Sequence, residues 1–88
     1  MRHIKLTGRE ATVVRSIGFT EAMMGAEIQD CTHMEVADVT DTLNSLMSAG
    51  YVESNPFCEE VQIAEMPAMA FEVNPAYVQE LKQALYRR

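Results

Sequence analysis

The stretch GAEIQDCTHMEVADVTDTLNSLMSAGYVE, Gly25 to Glu53, decides the fold. Within it Val36, Val39, Leu43, Leu46 and Met47 recur at i, i+3, i+7, i+10 and i+11. That spacing is one face of a helix, so a helix is predicted from about Glu35 to Ala49. Gly50 is its stop signal, because glycine takes the left-handed position after a helix without strain. Tyr51 is then placed to pack back on Leu46. Upstream, Gly25 to Cys31 reads as a short helix with Ala26, Ile28 and Cys31 turned inward. Thr32, His33 and Met34 form the turn, where His33 tolerates a positive φ better than most residues.

Working outward, Thr7-Gly8-Arg9-Glu10 has the form of a capping box, with Thr7 and Glu10 each satisfying a free backbone N–H. The helix it opens shows Ala11, Val14, Ile17 and Gly18 on one face, with Val13 beside them, and ends near Gly18-Phe19. Thr20 to Met24 is a connector or a short strand. Tyr51 to Ser54 reads as a strand that Asn55-Pro56 ends. Met69, Phe71 and Val73 alternate with Ala70 and Glu72 as a second strand. Two readings fit Phe57 to Ala68. Alternation of Val61 and Ile63 extends the hairpin, while Asn55-Pro56 suits the start of a helical turn; a strand over Val61 to Ala64 is the expectation. Asn74-Pro75 caps a last helix, about Pro75 to Tyr86, with Tyr77, Val78, Leu81 and Leu85 on its apolar face.

Eighty-eight residues make one small domain. Nearly half are apolar, which supplies a core and argues against disorder. The formal net charge is −6, and its distribution says more than its sum. The Lys and Arg residues are Arg2, Lys5, Arg9, Arg15, Lys82, Arg87 and Arg88. From Ser16 to Leu81 nothing is basic except His33, and every acid but Glu10 lies between Glu21 and Glu80. A basic stripe is the usual footprint of nucleic-acid binding; the middle of this chain is its opposite. Cys31 and Cys58 form neither a metal spacing nor a disulfide framework. The first residues are short and charged, without a signal peptide's apolar run, and no segment has the length of a membrane span. The expectation is a cytoplasmic protein with no membrane contact.

The order helix, helix, turn, helix, hairpin, helix over these residues resembles a winged helix-turn-helix of small bacterial transcription regulators, the MarR-like and ArsR-like groups. The resemblance is closest from Gly25 to Glu53 and elsewhere extends only to element order. It implies an α+β, mostly α fold: a helix-turn-helix at about 25–50, a wing at about 51–74 and a C-terminal helix at about 75–86. Ile28, Met34, Val39 and Leu43 fall where such domains hold two helices at a steep angle. His33 stands where they often have Gly, and Thr40 where Ser is common. The departures carry function. Glu35 occupies a position that often holds Ser or Thr as a cap. Asp41 lies near the place where DNA readers of this kind carry Arg or Lys. The wing from Ser54 to Ala70 contains three Glu and no base.

DNA presents a phosphate charge about every 1.7 Å of axis, and its non-specific attraction for proteins comes from Lys and Arg. Glu35, Asp38 and Asp41 entering that field cost affinity, although Asp can accept a hydrogen bond from a cytosine amino group. Asn44 shares their face. The expected function is therefore a non-enzymatic regulatory module acting through protein contact, with itself as a dimer or with another protein. Its candidate contact residues are Glu35, Asp38, Asp41, Asn44, Phe57, Val61, Ile63 and Met66. The last four form either an exposed apolar patch, the mark of an interface, or a cap on the domain's own core. Tyr77, Val78, Leu81 and Leu85 are the candidate self-association face; the other arrangement packs them on the first helix. The alternative function is a DNA-binding regulator whose phosphate contacts come from Arg2, Lys5, Arg9, Arg15, Lys82, Arg87 and Arg88. No phosphate loop, nucleophile elbow or paired-carboxylate signature is present. Cys31 and His33 lack a third ligand at metal spacing, so no cofactor is expected.

Overall fold

In a computed structural model, residues 4–86 are described. Helix α1 (Gly8–Ile17) begins on the expected capping box: Thr7 Oγ1 accepts from the Glu10 N–H at 3.1 Å, and a Glu10 carboxylate oxygen accepts from the Thr7 N–H at 2.9 Å. It ends at Gly18, whose φ of 76° is open to glycine at no steric cost. A two-residue strand β1 (Met23–Met24) leads directly into α2 (Gly25–Thr32). His33 takes the left-handed conformation, φ 58°, as the turn requires.

Helix α3 (Val36–Ser48) buries Val39, Leu43 and Leu46, while Val36 and Met47 are half-buried at the margins of that face. Thr40 and Thr42 are also buried. Each hydroxyl donates to the carbonyl four residues back, Val36 at 2.8 Å and Asp38 at 2.7 Å, so neither is left unsatisfied. The helix closes with a nested pair of bonds, Gly50 N–H to Met47 O and Tyr51 N–H to Leu46 O, both 3.0 Å. This is the glycine-terminated C-cap, and Gly50 has the φ of 87° it needs.

Strands β2 (Val52–Asn55) and β3 (Ala70–Val73) pair antiparallel, with Val52 opposite Val73 and Glu53 opposite Glu72. Strand β1 adds to the other side of β3, giving the order β1-β3-β2. Val52, Phe71 and Val73 face the core; Glu53 and Glu72 face out. Asn74 then ties the sheet to its surroundings. Its amide donates to Gly50 O and its Oδ1 accepts from Ala76 N–H. The last segment opens as a 3-10 turn (Pro75–Tyr77) and continues as α4 (Val78–Tyr86).

The fold is thus α+β, four helices with one small antiparallel sheet. Two expectations are corrected. Val61 to Ala64 is not a strand; the chain turns there and forms a 3-10 turn at Met66–Ala68. Ala26 and Cys31 are exposed. The face of α2 that turns inward is Gly25, Ile28, Gln29 and Thr32, at i, i+3, i+4 and i+7. The close approach of the Met66 segment to Gly25 sets that register. A Cβ at Gly25 would fall on the Met66 carbonyl, and Gly25 N–H donates to Met69 O at 2.8 Å.

Candidate functional site

The surface of α3 opposite its buried face carries Asp38, Asp41, Ser45 and Ser48. Glu35, at the N-cap, is exposed but makes no side-chain cap bond. Asp41 is exposed. Asp38 is half-covered and faces Arg9 of α1 at 3.4 Å. This pair is open to water, where such contacts contribute roughly 0–1 kcal/mol. Its importance is electrostatic: the base beside α3 is already matched by an acid of α3.

Asn44 does not stand free on this face as expected. Its amide nitrogen donates to Val61 O at 3.0 Å and its Oδ1 accepts from Val61 N–H at 2.8 Å. Both polar groups of one loop residue are thereby satisfied by a single side chain. The clamp holds the long connection between β2 and β3 against α3.

That connection divides the four candidate loop residues. Val61 and Met66 are buried, 2% and 0% exposed, and cap the domain's own core. Phe57 is 83% exposed and Ile63 50% exposed. The apolar patch of four is therefore corrected to two exposed side chains, anchored by the other two. Cys58 joins them half-buried; its N–H donates to Ser54 Oγ at 3.2 Å, while Ser54 Oγ donates to Pro56 O at 3.1 Å.

Three hollows run along this side of the molecule. A groove of about 400 Å³ lies between the end of α3, β2 and the loop, with Met47, Val52, Phe57 and Cys58 among its lining and Glu53 and Glu59 at its edge. A depression lined by Asn44, Ser45, Ser48, Glu59 and Glu60 adjoins it, sharing Ser48 and Glu59. A third hollow, between the start of α1 and α3, shares Ser45 with the second and includes Asp41, Arg9 and Glu10. The hollows are linked in series by the residues they share, and among the described residues the only base lining them is Arg9, in the third. Glu53 and Glu59, which edge the groove, are the residues that sequence reasoning missed. Alternation in Tyr51-Val52-Glu53-Ser54 already turned Glu53 outward; nothing local pointed to Glu59.

Among the described residues, three of the candidate phosphate-contact bases have partners within the chain. Arg9 faces Asp38. Arg15 donates to Leu85 O at 3.2 Å. The Lys82 ammonium lies 5.5 Å from the centre of the Phe19 ring, within cation–π range. Lys5 is exposed, and Arg2, Arg87 and Arg88 lie outside the described residues.

The candidate self-association residues pack against the domain's own core. Leu81 and Leu85 are buried within the chain, Val78 packs half-buried against the same core, and Tyr77 meets Tyr51 edge to face at 5.2 Å. Among the described residues no group of three His, Cys, Asp or Glu is placed to hold a metal ion, and no helix is long and apolar enough to cross a membrane. No family model, curated protein or solved structure matches the chain.

Proposed function

We propose that this chain is a non-enzymatic winged-helix regulatory module that works by protein contact through the outer side of α3 and the loop folded against it. The sheet order β1-β3-β2, with α2 and α3 between the first two strands and the long connection following β2, is compatible with a winged helix. The observation that carries the functional reading is the charge of α3: Asp38 and Asp41 on its outer side, with the adjacent Arg9 matched by Asp38. A helix so charged repels a phosphate backbone and attracts a basic protein surface. The connection that would extend beyond the helix is instead drawn onto it by Asn44.

Two measurements test the proposal together. Fluorescence anisotropy with a random duplex at about 50 mM salt should show no binding at tens of micromolar protein, since a DNA reader retains non-specific affinity at that ionic strength. Affinity capture from native extract should retain a partner with the wild-type chain and lose it with Asp41→Lys. Binding to the duplex, or capture indifferent to Asp41→Lys, overturns the reading in favour of a DNA-binding regulator or of a different surface.

A further inference from the structure

We propose that the groove beside Phe57 and the acid-lined track leading from it form a docking site for an extended protein segment with an apolar anchor flanked by Lys or Arg. The inference rests on the protein-contact reading above and names the chemistry of the partner.

The anchor position is defined by exposure. Phe57 stands 83% exposed in a chain whose other large apolar side chains are mostly buried. It lines a groove together with Met47, Val52 and Cys58. The loop that presents it is held in place by Asn44 on Val61 and by Ser54 on Cys58. Phe57 is thus an exposed aromatic on a braced support. Aromatic side chains so placed are the usual centres of binding energy, and bracing lowers the ordering cost of association.

The flanking chemistry is defined by charge. Glu53 and Glu59 edge the groove, Glu60 continues the line, and Asp41 lies farther along it. Among the described residues no base lines the groove or the depression beside it. On the outer face of the sheet Glu53 stands directly opposite Glu72, and both are exposed. Like charges directly across an antiparallel pair destabilise it. A Lys or Arg brought to Glu53 by a partner relieves that repulsion, so the face gains on binding a cation what it lacks alone. A second copy of this chain does not meet the requirement: each copy carries a net charge of −6 and would set acid against acid.

The test uses the full ¹⁵N-labelled chain and three sets of ten-residue peptides. One set has a central Leu or Phe flanked by Lys and Arg, one has the same anchor flanked by Glu, and one has the basic flanks around a central Gly. The first set should bind in the micromolar range at low salt and shift the amides of Val52, Ser54, Cys58 and Ser48. Phe57→Ala should weaken binding at least tenfold, as should Glu53→Lys combined with Glu59→Lys. Both variants change exposed side chains and should leave the fold intact, which the amide spectrum verifies. The Glu-flanked and Gly-centred sets should bind at least tenfold more weakly. The proposal is overturned if no basic, anchored peptide binds below about 1 mM. It is equally overturned if acidic flanks serve as well, if Phe57→Ala is without effect, or if sedimentation shows a dimer that Phe57→Ala dissociates. Peptide failure alongside partner capture that depends on Asp41 discards the groove and leaves the protein-contact reading standing. Duplex DNA binding removes that reading whatever the peptides do.

Discussion

Replacing Asn44 with alanine tests the clamp that shapes the candidate surface. On helix propensity alone the change is favourable, by several tenths of a kcal/mol up to about 0.7 kcal/mol, because Asn is a weaker helix former than Ala. The structure predicts the opposite sign. Asn44 makes two hydrogen bonds to Val61, 2.8 Å from its N–H and 3.0 Å to its carbonyl, and Val61 is only 2% exposed. Leaving a buried backbone group unpaired costs about 1–3 kcal/mol. These bonds are partly buried, so water recovers some of the loss and the lower bound applies to each. Two groups at about 1 kcal/mol each, less the propensity gain, give a net loss of roughly 1.5 kcal/mol. For a domain of this size that lowers Tm by about 6–12 °C. Urea unfolding followed by circular dichroism measures the first quantity, and hydrogen exchange at the Val61 amide reports the local opening. An Asn44→Ala variant as stable as the wild type, with Val61 equally protected from exchange, refutes the clamp.

Three further substitutions probe the same construction. Gly25→Ala, normally a gain in a helix of about 0.5–1 kcal/mol, should instead destabilise by about 1–3 kcal/mol, because the new Cβ meets the Met66 carbonyl rather than open space; thermal unfolding decides the sign. Glu72→Lys should stabilise the isolated chain by about 0.2–1 kcal/mol by replacing the cross-strand acid pair with an ion pair opposite Glu53, an effect read in urea and expected to fade in high salt. His33→Gly should raise Tm by a few degrees, since φ 58° is costly for a residue with a Cβ by roughly 1–2 kcal/mol and glycine's greater unfolded-state freedom offsets only part of the gain.

Local chemistry made several elements legible. Thr7 and Glu10 announce the start of α1 because both partners of the capping box lie within one turn. Val39, Leu43 and Leu46 mark the buried face of α3 by period alone. Gly50 and His33 mark positions of positive φ through the residue types that tolerate it. Asn74-Pro75 announces the last helical segment, although its first turn is 3-10, closed by backbone bonds three residues apart such as Tyr77 N–H to Asn74 O.

Other features were beyond local reading. The face of α2 was misread because Ala26 and Cys31 are more apolar than Gln29 and Thr32, which do turn inward; contact between Gly25 and the distant Met66 segment selects the register. Val61 and Ile63 alternate as a strand would, yet Val61 is buried and Ile63 exposed in a turn, because Asn44 satisfies the backbone groups that a partner strand would otherwise take. The period of two therefore misplaced Ile63 as well as the pairing, since residues i and i+2 of a strand share one face and here only Val61 goes in.

The same division applies to the surface read as a docking site. Ordering of residues along the chain was enough to place α3 after a short helix and a left-handed turn, to bury its apolar face and to leave Asp38 and Asp41 outside, because helix periodicity and charge are properties of neighbours a few residues apart. The groove beside Phe57 is a different kind of object. It exists because Val61 and Met66 are drawn into the core while Phe57 is not, and because Asn44 on α3 holds the loop that joins them. Its acids come from β2 and from a loop without regular structure. Their convergence depends on contacts between residues distant in sequence, and such contacts leave no period or spacing in the chain that could announce them.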